Sequence, residues 1–167
     1  MIMLYNIDME LLSSKLFIIR NFTQDDVNYI DSFINKDNET VYSEFKEIIA
    51  NSLNDDFDEE GEKHFAIDKD GELIGQVTLT FEKPFIYFSF ALNSQYETRI
   101  YIQELFVLLI KYLHLLYPHR QIITNANKFN LVTRAVIENF GFERKAIDKT
   151  TDTYTYTLFT PNPNKGK

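Results

Sequence analysis

A chain of 167 residues is long enough for one domain with a sizeable core, and 44% apolar with 25% charged residues is a globular composition rather than a disordered one. The formal net charge of -8 argues against nucleic acid as a partner, because that binding rests on Lys and Arg neutralising phosphates. The lack of cysteine excludes disulfides, thiolate zinc sites and cysteine nucleophiles, and fits a reducing, cytoplasmic setting.

The opening residues carry Asp8 and Glu10 where a secretory signal would be basic and then apolar, so they do not read as one. Lys15 to Arg20 is short and rich in Phe and Ile, and predicts a strand. Thr23 then opens a helix as its cap, with Asp25 and Asp26 in the first turn and Val27, Ile30, Phe33 and Ile34 at helical spacing. A second helix is predicted from Val41 to Leu53. From Asp37 to Glu62 the chain is densely acidic, with Lys46 as the one base. That stretch reads as a solvated face and loop, or as a field that draws in a cationic amine.

A meander follows. His64 to Ile67 predicts a strand, Asp68 to Gly71 a turn, and Leu73 to Phe81 a half-buried strand with Val77, Leu79 and Phe81 alternating against Thr78, Thr80 and Glu82. Lys83 and Pro84 turn the chain into Ile86, Phe88, Phe90 and Leu92. Glu97 to Leu116 predicts a long helix. Its apolar run from Ile100 is broken by Gln103, Glu104, Lys111 and His114, as in a core helix and unlike a membrane span. Gln121 to Thr124 predicts a strand, and Asn130 caps a helix that stops at Gly141. Strands near Glu143 to Ile147 and Tyr154 to Leu158 close the chain, and Pro161 to Lys167 reads as frayed. This order predicts one α/β (α+β) domain over residues 1–167, a mixed, mostly antiparallel sheet of about six or seven strands with helices on both faces. Ligands of such sheets bind where parallel neighbours part at their carboxyl ends.

Two segments resemble the GNAT superfamily of N-acetyltransferases. NLVTRAVIENFGF, Asn130 to Phe142, places Asn130, Thr133, Glu138, Gly141 and Phe142 where family members commonly carry an Asn, a small residue, a Glu and a closing Gly-Phe. IYFSFALNSQYETRIYIQE, Ile86 to Glu104, is similar to the family's central strand, acyl-CoA loop and following helix. Phe17 to Asp26 and Phe65 to Gly75 look like the branch that acetylates ribosomal-protein N-termini. The resemblance implies acetyl-CoA as co-substrate, held by Leu92, Asn93, Gln95, Glu97, Thr98, Arg99, Ile100, Asn130, Thr133 and Arg134. It also implies a small-molecule or peptide amine as acceptor.

The family's loop reads Gln or Arg, two residues, Gly, one residue, Gly or Ala. Its amides and helix start cradle a pyrophosphate. Here the run is QYETRI, Gln95 to Ile100: Gln95 stands, Thr98 and Ile100 fill the small positions, and Glu97 adds negative charge. If a glycine conformation is needed, a Cβ there costs on the order of 1–3 kcal/mol, which implies cofactor binding weakened by about 10- to 100-fold. The Tyr that often protonates the leaving thiolate is Ile137 in this chain. These departures leave a second reading, a GNAT-fold binding or regulatory module without catalysis. Glu82 and Ser89 are the candidates for base and positioning group. His64, His114 and His119 lack metal-ligand spacing. An apolar face on the last hairpin would suit a homodimer.

Overall fold

The structure is a computed structural model that describes residues 10–26 and 60–159. It opens with two short antiparallel strands, β1 (Glu10–Ser13) and β2 (Ile18–Arg20), linked by a turn in which Ser14 Oγ accepts from Leu16 N at 3.0 Å. β2 pairs with β3 (Gly61–Lys69). Asp70 and Gly71 then take φ of 53° and 87°, the left-handed pair that a two-residue hairpin requires and that Asp and Gly adopt at low cost. The hairpin leads into β4 (Glu72–Glu82), and Lys83–Pro84, a cis peptide, leads on to β5 (Phe85–Leu92). Connections this short force antiparallel neighbours.

A 3-10 turn, Ser94–Tyr96, precedes helix α1 (Arg99–Leu116), the crossover that lets β6 (Gln121–Asn127) lie parallel to β5. Helix α2 (Leu131–Asn139) and the antiparallel strands β7 (Glu143–Asp148) and β8 (Thr153–Leu158) complete an eight-stranded sheet of order β1-β2-β3-β4-β5-β6-β8-β7. The mixed α/β class and the mostly antiparallel sheet are as expected. The strand count is higher than the expected six or seven, because β1, only four residues long, precedes the strand read as first.

The backbone clusters into two compact units. The first is Met1–Thr78 with Phe90–Glu97. Its apolar interior includes Ile19, Phe22, Ile67, Leu73, Ile74 and Val77. Beside this interior lies a charged network. Arg20 donates from Nη1 and Nη2 to Asp26 at 2.9 and 2.7 Å and from Nε to Asp68 at 2.8 Å, with Asp26 only 1% exposed. The bond to Asp26 is the main reason that the arginine holds its proton even more tightly than usual. At Thr23 the backbone N–H donates to Asp26 Oδ2 at 2.6 Å and the carbonyl accepts from Asp26 N at 3.1 Å, which opens the turn at residues 24–26 where the described residues stop. The rest of that predicted helix, the helix from Val41 to Leu53 and most of the acidic stretch lie outside the described residues.

Gly75 serves the same unit by having no side chain. A Cβ there would drive into the Ala91 carbonyl and lie 3.1 Å from Leu92 Cα, so glycine is what lets the end of β5 approach β4. Asn93 N donates to Ile74 O at 2.8 Å across this approach.

The second unit is Leu79–Ser89 with Thr98–Lys167. Phe106, fully buried on α1, meets Phe88, Phe140 and Phe142 at ring distances of 4.9, 5.8 and 6.0 Å. α2 ends as its sequence predicts. Gly141 takes φ 90°, its N–H bonds Glu138 O at 3.1 Å, and the Phe142 N–H bonds Ile137 O at 3.4 Å, the Schellman pair. β7 is exposed along its length and bulged between Arg144 and Ala146; its charged residues protect a sheet edge from further pairing.

Candidate active site

β5 and β6 share a short parallel ladder whose register runs from Phe85↔Gln121 to Phe88↔Thr124. Both strands continue beyond it, β5 to Leu92 and β6 to Asn127. At the last step the Thr124 hydroxyl, buried, donates to the Phe88 carbonyl at 2.8 Å, so a side chain supplies the donor where the ladder stops. β6 meanwhile stays paired with β8 from Ile122↔Leu158 to Asn127↔Thr153. β6 is therefore not frayed where its pairing with β5 stops.

α1 begins without a side-chain cap. Thr98, its N-cap residue, is extended at φ -118° and ψ 159°, its hydroxyl bonds no first-turn amide, and no acid stands in the first turn. The first intrahelical bond runs from Ile102 N to Thr98 O at 3.0 Å. The amides before Ile102 have no acceptor inside the helix and carry the positive end of its dipole. Arg99 and Ile100 are exposed, Ile100 by 67%. Arg99 and Gln103 line a pocket of about 260 Å³ with Val136, Asn139 and Phe140 of α2 and its end.

α2 begins differently. Asn130 Oδ1 accepts from Thr133 N at 3.2 Å, and Thr133 is buried. The preceding loop is braced from several sides. Lys128 N donates to Asp152 O at 2.7 Å, Phe129 N donates to Asn127 Oδ1 at 2.9 Å, and Arg134 Nη1 donates to Lys128 O at 2.8 Å. Arg134 also donates from Nε to Tyr156 at 3.2 Å and lies 4.7 Å over the Tyr154 ring. The bond to Tyr156 is the main influence holding the arginine's proton above its ordinary range. Asn130, Thr133 and Arg134, expected as cofactor contacts, also brace the start of α2.

The two catalytic candidates are not brought together. Glu82 is exposed at the hairpin before β5, at the end of the β5–β6 ladder away from Phe88 and Thr124. Ser89 is exposed one residue past the last registered pair. Leu92 is buried, while Gln95 and Glu97 are exposed next to Asn93 and the 3-10 turn.

A polar row runs along β3 and β4. His64 Nδ1 lies 3.0 Å from Thr78 Oγ1, and its Nε2 lies 3.4 Å from Glu62 Oε1. Two residues before Thr78 on β4, Gln76 Oε1 is buried with no hydrogen-bond partner among the described residues. The available signal was the run Gln76, Thr78, Thr80, a polar face on a strand with no polar turn beside it.

The profile of the acetyltransferase (GNAT) domain matches residues 18–157. The chain belongs to the GNAT family. None of the curated proteins matches it. Among solved structures, a GNAT-family acetyltransferase from Bacillus anthracis is similar with TM-score 0.71 and 15% identity, covering 89% of this chain and 98% of the other. The Campylobacter jejuni N-acetyltransferase PseH in complex with acetyl coenzyme A aligns with TM-score 0.66 and 17% identity over 87% of this chain and 100% of that one. A Salmonella typhimurium acetyl transferase that modifies the N-terminal serine of ribosomal protein L7/L12 gives 0.64 and 13% over 87% and 96%. At these identities the likeness is one of fold.

At the first departure from the GNAT loop pattern, Thr98 takes the dihedrals of extended backbone that any residue adopts. Ile100, on the first turn of α1, keeps its side chain in solvent. The uncapped start of α1, with Arg99 exposed on it, is chemistry that suits a pyrophosphate.

Proposed function

We propose that this GNAT chain transfers an acetyl group from acetyl-CoA to a primary amine, an α-amine of a peptide or of a small molecule. The observation that supports this best is the end of the β5–β6 ladder at Phe88 and Thr124, with the Thr124 hydroxyl on the Phe88 carbonyl and both strands running on. In open sheets of this kind ligands bind at the carboxyl ends of the parallel strands.

The residues divide the work. The first-turn amides of α1 and the Arg99 guanidinium hold the pyrophosphate, each charge-assisted amide bond contributing roughly 1.5–3 kcal/mol. Asn130, Thr133 and Arg134 hold the start of α2 in place. Backbone amides near the end of β5 polarise the thioester carbonyl, and Ser89 stands beside them. Ile137 is buried and supplies no acid, which a thiol of pKa near roughly 8.5 tolerates as a leaving group. The alternative of a module without catalysis draws on Thr98, Ile100 and Ile137; the extended backbone at Thr98 favours the transferase reading over it.

Calorimetric titration with acetyl-CoA, followed by mass spectrometry of an alanine tripeptide incubated with both, tests the proposal. Heat, a raised Tm and an acetylated peptide are expected. No heat and no Tm shift at millimolar acetyl-CoA would remove it.

A further inference from the structure

Acetyl transfer, as described above, makes no use of Arg144. In the β7–β8 register Arg144 stands opposite Tyr156, and Ile147 stands opposite Tyr154. Tyr154 and Tyr156 share one face of β8, so both β7 residues share it too. Three residues apart on a regular strand, they would face opposite ways. The bulge between Arg144 and Ala146 is what brings them to one side. α2 packs on that side, since Arg134 Nε donates to the Tyr156 hydroxyl, which in turn donates to Glu138 Oε1 at 3.1 Å. Two guanidiniums therefore meet on a single ring. Arg134 Cζ lies 4.7 Å and Arg144 Cζ 4.4 Å from the Tyr154 centroid, which keeps the cations within the roughly 10 Å screening length of dilute salt.

Their repulsion is offset only in part. Glu138 is 3.7 Å from Arg134 Nη2, while Arg144 makes no ion pair among the described residues. The Tyr154 hydroxyl likewise makes no hydrogen bond among them. A cation–π contact stabilises each guanidinium but does nothing to relieve the repulsion between the two. An anion between them would. All of these residues belong to the second unit.

We propose that Arg144, Arg134 and the Tyr154 hydroxyl form a binding site for a phosphate group, free phosphate or a phosphate monoester. Arg144 supplies the guanidinium fork, Tyr154 one O–H, and Arg134 a second positive charge beside them. Such donors suit the several oxygens of a tetrahedral anion. Glu138 opposes the site and limits its affinity. The site does not depend on acetyl transfer.

The probe is inorganic phosphate, titrated into the full chain at low salt and followed by calorimetry and by the Arg144 Nε resonance. Saturable binding in the millimolar range is expected. Arg144→Gln is expected to weaken it about 10-fold and Tyr154→Phe about three-fold, while Glu138→Gln tightens it about three-fold. Lys149→Gln, which removes the same charge from the exposed turn between β7 and β8, is expected to leave binding unchanged. No saturable binding at tens of millimolar phosphate, or equal weakening by Arg144→Gln and Lys149→Gln, overturns the site. Competition then reads the source of the phosphate, and either result keeps the site. Displacement by acetyl-CoA but not by acetyl-3′-dephospho-CoA assigns it to the cofactor's own phosphate monoester. Phosphate that stays bound in the presence of both assigns it to another ligand.

Discussion

The two described helices begin in opposite ways. α2 starts on Asn130, whose side chain takes the Thr133 amide, and the loop before it is tied to Asp152 and Arg134. α1 starts on Thr98, whose side chain takes nothing, with exposed residues on either side. A helix that caps itself has spent its first-turn donors on its own stability. One that leaves them open keeps an anion site at a loss of about 1 kcal/mol of capping. The difference is one of capping: a side chain takes a first-turn amide of α2, and none takes one of α1.

The largest way to break the comparison is to loosen both helices together. Phe106→Ala removes the buried ring that joins α1 to Phe140 and Phe142 at the end of α2. The expected loss is about 3–5 kcal/mol in urea denaturation, with weakened acetyl-CoA binding, because neither start is then held in place. Next comes the cap itself. Asn130→Ala is expected to lower stability by about 1 kcal/mol, read as a fall in Tm, and to affect acetyl-CoA only through the looser α2. The smallest change sharpens α1. Glu97→Gln removes the one acid before the open start and is expected to tighten acetyl-CoA by less than about five-fold in calorimetry, in keeping with the roughly 0.3–1 kcal/mol of a charge near a helix end.

Local rules made α2 legible in the sequence: Asn130 and Gly141 each announce one end of the helix, and both behave as such. The central hairpins were equally plain, since Asp70, Gly71 and Pro84 are turn residues flanked by alternating strands. What the sequence withheld depends on geometry. Thr98 looked like an obstacle because glycine is usual in its place, yet whether a Cβ is tolerated turns on a φ of -118° that no residue name discloses. Glu82 and Ser89 were attractive as residue types but lie at opposite ends of one ladder, a separation set by strand register. β6 was read as ending at Thr124; it runs to Asn127 because pairing with β8 continues through Asn125 and Asn127, residues with weak strand preference. His64 and Thr78 are brought together from two strands, so nothing local in the sequence joins them.

The open start of α1 is best tested by closing it. Thr98→Asp supplies a carboxylate that caps the first-turn amides and repels phosphate, so the ligand-free protein should gain Tm while acetyl-CoA affinity, measured by calorimetry, falls at least about 10-fold, or about 1.4 kcal/mol. Equal affinity in the wild type and the variant would contradict the assignment of the pyrophosphate to this helix start.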